Sequence, residues 1–190
     1  MRLLRSAGHR RMPWKNGGGE TVEVMVHPEG AGLSDFGWRV SMATVAEDGP
    51  FSVFPGIDRT LAVLSGTGMT LAIEGVGTRT LTPESEPLAF PADAPTVARL
   101  TGGPITDLNA MTRRGLFTHR LTRHRATEAA GLPDADWRLV LALTPLGIST
   151  DAGLAGLQPR DAALLEQGEA AEIVPAGPEA AFHLVAIHRA

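Results

Sequence analysis

Thr60-Leu61-Ala62-Val63-Leu64-Ser65-Gly66-Thr67-Gly68-Met69-Thr70-Leu71-Ala72-Ile73 decides the fold class. Two short apolar runs flank Ser-Gly-Thr-Gly, which reads as strand, tight turn and returning strand. The same grammar continues outward in both directions. Glu20–Val26 is rich in β-branched residues and reads as a first strand. Trp38–Val45 places Trp38, Val40 and Met42 on one face and Arg39 and Ser41 on the other. Leu88–Pro91, Val97–Leu100, Trp137–Leu143 and Ala181–His188 supply further strands. Only Arg123–Gly131 and Pro159–Leu165 suggest helix, and Gly168 limits the second. With no βαβ rhythm and no four-helix pattern, the expectation is an all-β sandwich or barrel.

The 190 residues suffice for one domain or two small ones. The 22 Gly and 14 Pro exceed average usage, roughly an eighth of residues, and they are scattered as turns would be. There is no Cys and no Tyr, which excludes disulfides, thiolate chemistry, Cys-ligated metals and a phenolic acid or base. Residues 113–136 read as a largely polar join, so a boundary is placed near residue 125, giving units 1–125 and 126–190. The first carries 14 basic and 12 acidic groups, the second 3 and 9, so an anion is better placed in the first. Net charge of −4 argues against nucleic acid as a partner, and the Arg-rich run Arg113–Arg125 lacks an aromatic ladder. Met1–Arg5 has no apolar leader pattern and no run approaches the roughly 20 residues that span a bilayer, so a cytoplasmic protein without membrane contact is expected.

Several residues stand out as candidates for chemistry. Pro13-Trp14-Lys15-Asn16-Gly17-Gly18-Gly19 holds the chain's one lysine, and its glycines make either an anion nest or a turn. Arg59 opens an apolar strand and needs a carboxylate, either internal (Asp58 or Asp107) or a ligand's. Asp107, Asn109 and Met111 share a strand face, with Asn109 either satisfying backbone or facing a pocket. The six histidines show no ligand spacing, so no metal site is expected from them.

Pro13–Gly19, Trp38–Ala43, Asp48–Thr60 and Asp107–Gly115 together resemble the HutD/Ves family. The resemblance implies a cupin-type β-barrel, with two cupin units in one chain (a bicupin), and a regulatory or binding role in bacterial histidine utilisation. Metal cupins carry His-x-His-x4-Glu-x6-Gly. Here that frame falls on Ser52, Phe54, Arg59 and Gly66, and the position of the later His falls near Thr96. The ligand residues are absent and the glutamate position is a cation, which suits a carboxylate better than a metal.

The expected activity is therefore metal-free and cofactor-free binding of a small carboxylate metabolite such as urocanate, formiminoglutamate or N-formylglutamate. Arg59 is the expected clamp, with Lys15, Asn16 and Arg39 as polar contacts, Asn109 as orienting amide, Trp14 as wall and Arg113 as a lesser binding residue. No residue is assigned as catalytic. An enzyme (lyase, isomerase or deformylase) using Asp107 or His119 as base and an interaction module for a transcription regulator remain as alternatives, and a homodimer is allowed.

Overall fold

A computed structural model describes residues 1–14 and 17–190. Its regular elements are all strands apart from one short 3-10 turn, Ser6–Gly8, among the described residues. The chain divides into two compact units. One comprises Arg10–Thr118 with Ala190, the other Met1–His9 with His119–Arg189. The change-over at residue 119 lies close to the expected boundary near 125. The first nine residues, however, go with the C-terminal unit, because Arg2–Leu4 pairs antiparallel with Ala162–Glu166.

The Arg10–Thr118 unit holds two antiparallel sheets. Six strands run in the order Arg10–Pro13, Gly19–His27, Trp38–Val45, Ile105–Arg113, Ile57–Ser65 and Leu88–Pro91. Four run in the order Gly49–Pro50, Thr96–Leu100, Met69–Ile73 and Gly77–Leu81. The opening hairpin thus passes from one sheet to the other, and its turn needs glycine. Gly66 has φ of +96°, and a Cβ there would meet the Pro104 carbonyl oxygen at 2.6 Å. Leu61 and Val63 from the larger sheet pack with Met69, Leu71, Ile73 and Ala98 from the smaller. Burying each of the larger side chains contributes about 1.5–3 kcal/mol.

The other unit repeats the plan. A five-stranded sheet runs Arg2–Leu4, Ala162–Glu166, Trp137–Ala142, Ala180–Arg189 and Phe117–Ala126. A four-stranded sheet runs Ala130–Gly131, Ala171–Pro175, Leu146–Thr150 and Gly153–Leu157. Val140, Leu165, Phe182 and Leu184 of the first pack with Leu146, Ile148, Leu157 and Ile173 of the second.

Both expected helices are strands. Ala162–Glu166 lies between two partners, and paired backbone on both sides overrides the helix preference of its Ala and Leu. Phe117–Ala126 is an edge strand rather than a solvated connector, its Arg, Thr and His exposed or half-exposed while Leu121 is buried.

Candidate functional site

The six-stranded sheet of the Arg10–Thr118 unit carries polar side chains where a core would carry apolar ones. Register sets them in cross-strand rows. Arg59 pairs with Met111, which pairs with Arg39. Leu61, Asn109 and Ser41 form the next row, and Val63, Asp107 and Ala43 the one after. Alternation points residues 39, 41 and 43 to the same side as 107, 109 and 111. They face a cavity of about 540 Å³, closed elsewhere by Trp14, Phe51 and Phe54 among others.

Arg59 is the unusual member. Its residue is only 7% exposed, and no carboxylate among the described residues lies within ion-pair distance. The adjacent Asp58 points to the opposite side of its strand and binds Arg114 at 2.7 Å. The Arg59 guanidinium instead sits among Phe51, Phe54 and Phe90, 5.4, 5.4 and 5.8 Å from the ring centroids. Its single hydrogen-bond contact among the described residues runs from Nη2 to Met111 Sδ at 4.0 Å, and its buried Nε lacks a partner. Burial pulls its pKa down to about 10, with Asp107 raising it and Arg39 lowering it further.

Asp107 is 1% exposed and lies at the other end of the polar face. Its Oδ1 accepts a 2.7 Å hydrogen bond from Asn109 Nδ2. Burial pushes its pKa up to about 7, although Arg59, Asn109 and the Ala43 backbone N–H all favour its charged form. Since Asn109 directs its nitrogen at Asp107, its own oxygen remains an acceptor.

Arg39 is also buried but is already paired. Its Nε donates to Glu23 Oε2 at 2.7 Å and its Nη1 to Ser41 Oγ at 3.4 Å. Trp14 lines the cavity, with Nε1 donating to Thr21 Oγ1 at 2.8 Å. The glycine run closes a turn: Gly17 donates its N–H to the Trp14 carbonyl at 3.1 Å, so that group does not serve an anion nest. Gly19 is fixed by close approach, since a Cβ there would lie 2.2 Å from the Thr44 carbonyl oxygen. Lys15 and Asn16 lie outside the described residues. Arg113 is absent from the cavity lining; it donates to the carbonyls of Phe36 at 3.0 Å and Ser34 at 2.9 Å.

The fold and this site can now be set beside known proteins. The sequence profile of the HutD family matches residues 6–182. The chain belongs to the HutD family. An uncharacterised protein from the hutC 3′ region of Pseudomonas putida is 44% identical over 109 residues, 57% of this chain and 56% of that protein. The chain thus matches a little over half the length of that curated relative. A solved protein of unknown function from Pseudomonas aeruginosa PAO1 superposes with a TM-score of 0.90 at 33% identity, covering 98% of both chains. A Cupin 2 conserved barrel domain protein from Leptotrichia buccalis superposes with a TM-score of 0.61 at 11% identity over 88% of both, which shows a cupin-type fold.

Three of the four positions onto which the metal-cupin frame falls in the sequence share one cavity. Ser52, Phe54 and Arg59 all line the cavity. Among the described residues no cluster of His, Asp and Glu could hold a metal. Three features of the cavity go beyond the residues expected from the sequence: the Phe51–Phe54–Phe90 cage, Ser41 and the Asp107–Asn109 bond. Strand alternation was the signal for Ser41 and Asp107, since both fall in step with residues already singled out. The cage has no such signal, because Phe51 and Phe90 converge from distant loops and strands.

Proposed function

We propose that the cavity binds a small carboxylate metabolite without a metal and that this binding modulates histidine utilisation, the process with which the HutD family is associated. One observation carries the reading. Arg59 is a buried guanidinium with no carboxylate within ion-pair distance among the described residues. Burying a cation without an anion is costly, and an incoming carboxylate relieves that cost through two parallel N–H···O bonds. The phenyl cage holds the guanidinium plane in place beforehand, and Asn109 offers an acceptor for a ligand N–H. Urocanate, formiminoglutamate and N-formylglutamate each combine a carboxylate with a nitrogen group and suit the cavity volume. In the same reading the two all-β units are two cupin units, of which the first carries the site. A thermal-shift panel of these acids and of divalent metals tests it. Stabilisation by an acid and by no metal is expected, and stabilisation by metals alone overturns it.

A second reading draws on Asp107. A buried carboxyl group that titrates near neutrality, facing the same cavity as a cation, has the properties of a general base. The protein would then be a lyase, isomerase or deformylase acting on the bound acid. Mass spectrometry of each acid after incubation separates the two: unchanged ligand favours binding alone, whereas turnover that is lost in Asp107→Asn establishes the enzyme.

A further inference from the structure

Asp107 and Arg59 are two buried, oppositely charged groups that face one cavity without making an ion pair. The groups around Asp107 can be named strand by strand. Asn109 on its own strand donates to it, and so does the Ala43 N–H from Trp38–Val45. Arg59 from Ile57–Ser65 is the cation whose field reaches it. Arg39 on the other side is neutralised by Glu23 from Gly19–His27. Glu47 and Asp48 also line the cavity, and Asp48 accepts the Leu100 N–H at 2.7 Å. No histidine is among the described lining residues.

We infer that the cavity takes up one proton with each carboxylate it binds and that Asp107 is the residue that holds it. The inference rests on the reading of Arg59 as a carboxylate clamp. A ligand carboxylate at Arg59 changes Asp107's surroundings twice. It cancels the positive charge that favours the aspartate anion, and it adds a second negative charge to the same poorly solvated space. Two carboxylates sharing such a site do not both stay ionised. The ligand's carboxylate is held by the guanidinium and keeps its charge. Asp107 has only the neutral amide and backbone donors left, so it takes a proton from solvent and becomes neutral. No bond other than this O–H forms, and the ligand leaves with the proton returned to solvent. The site thus binds acid equivalents rather than bare anions, and Asp107 determines its affinity as a function of pH.

The sign of the dependence follows from the free protein, where Asp107 titrates at about 7. Well below that pH the group is already neutral, so binding takes up no proton and affinity is flat. Between that pH and the higher pKa that Asp107 has in the liganded state, uptake approaches one proton per ligand and affinity falls by up to tenfold per pH unit. Arg59, at about 10, remains charged through this range.

Formate is the probe, because it does not titrate near neutrality. Calorimetric titration of the full chain in two buffers of different ionisation enthalpy counts the protons directly. Uptake near zero at about pH 5.5 and near one at about pH 8.5 is expected, with the matching fall in affinity. Asp107→Asn is expected to bind formate with no uptake and with affinity flat across this range. Wild-type protein that binds formate equally at both pH values without uptake overturns the inference, as does uptake that persists in Asp107→Asn. Should that variant fail to fold, the wild-type proton count decides alone. Failure of the clamp reading looks different: formate then binds at no pH, or binds Arg59→Ala as well as wild type, and both proposals fall together.

Discussion

Each unit of this chain buries an aspartate, and the two have opposite fates. Asp161, 5% exposed, accepts the Ser6 N–H at 2.8 Å, the Gln158 N–H at 3.1 Å and Arg5 Nη1 at 2.9 Å. Burial alone would raise its pKa, but those three donors outweigh it and hold it at about 2. Asp107 has fewer donors and no bonded cation, and burial wins, raising it to about 7. The first is a structural fastening that ties the N-terminal segment into its unit. The second is held at a cost to stability in the unit with the polar cavity. A carboxylate kept out of an ion pair with the arginine that shares its cavity is what the proposed ligand site requires. The interiors around them differ in the same sense: Leu146, Ile148, Leu157 and Leu165 fill one, while Arg39, Arg59, Asp107 and Asn109 line the other.

The contrast can be broken by substitution, and the largest effect belongs to the filled interior. Leu165→Ala removes a side chain with no measurable exposure and is expected to lower unfolding free energy by about 2–5 kcal/mol in chemical denaturation. Asp161→Asn comes next, at about 2–3 kcal/mol near neutral pH. Its folded pKa lies below the unfolded value, so the contribution is complete above about pH 4 and disappears as pH falls through about 2. Wild type and variant stabilities should therefore converge in acid. Asp107 carries the opposite sign. Its folded pKa lies above the unfolded value, so the folded state holds the extra proton and stability falls as pH rises from about 4 to about 7. Asp107→Asn should therefore gain on wild type across that window in thermal unfolding, and a parallel pH profile would sink the assignment. Arg59→Met is expected to change stability least, within about 1 kcal/mol or in the stabilising direction, because an apolar chain replaces a buried cation without an ion partner. It should also raise the Asp107 pKa further, visible by carboxyl NMR titration.

Much of this is legible in the sequence. Turn glycines and alternating strands specified an all-β chain, and alternation in Trp38–Val45 and Ile105–Arg113 placed Arg39, Ser41, Asp107 and Asn109 on shared faces. The choice of partner was not legible. Whether Arg59 binds Asp58, Asp107 or neither depends on Asp58 reaching Arg114 on the opposite side and on Asp107 stopping short of a salt bridge. Glu23 meets Arg39 diagonally across the strand pair, since its direct partner is Ser41, and that register is not announced by any local pattern. The Phe117–Ala126 strand stayed hidden because an edge strand can carry arginine, threonine and histidine along most of its length. Partner choice was equally hidden for Arg113, which spends donors on the Ser34 and Phe36 carbonyls.

The central claim is that Arg59 is a prepared carboxylate clamp. Titration calorimetry of wild type and Arg59→Met with N-formylglutamate at about pH 5.5, well below the Asp107 pKa, tests it most directly, since Asp107 is then neutral and the variant is expected to stay folded. The account predicts saturable binding to wild type and a loss on the order of a hundredfold in the variant, the worth of a charge-assisted bond pair. Equal affinity in the two proteins would contradict it.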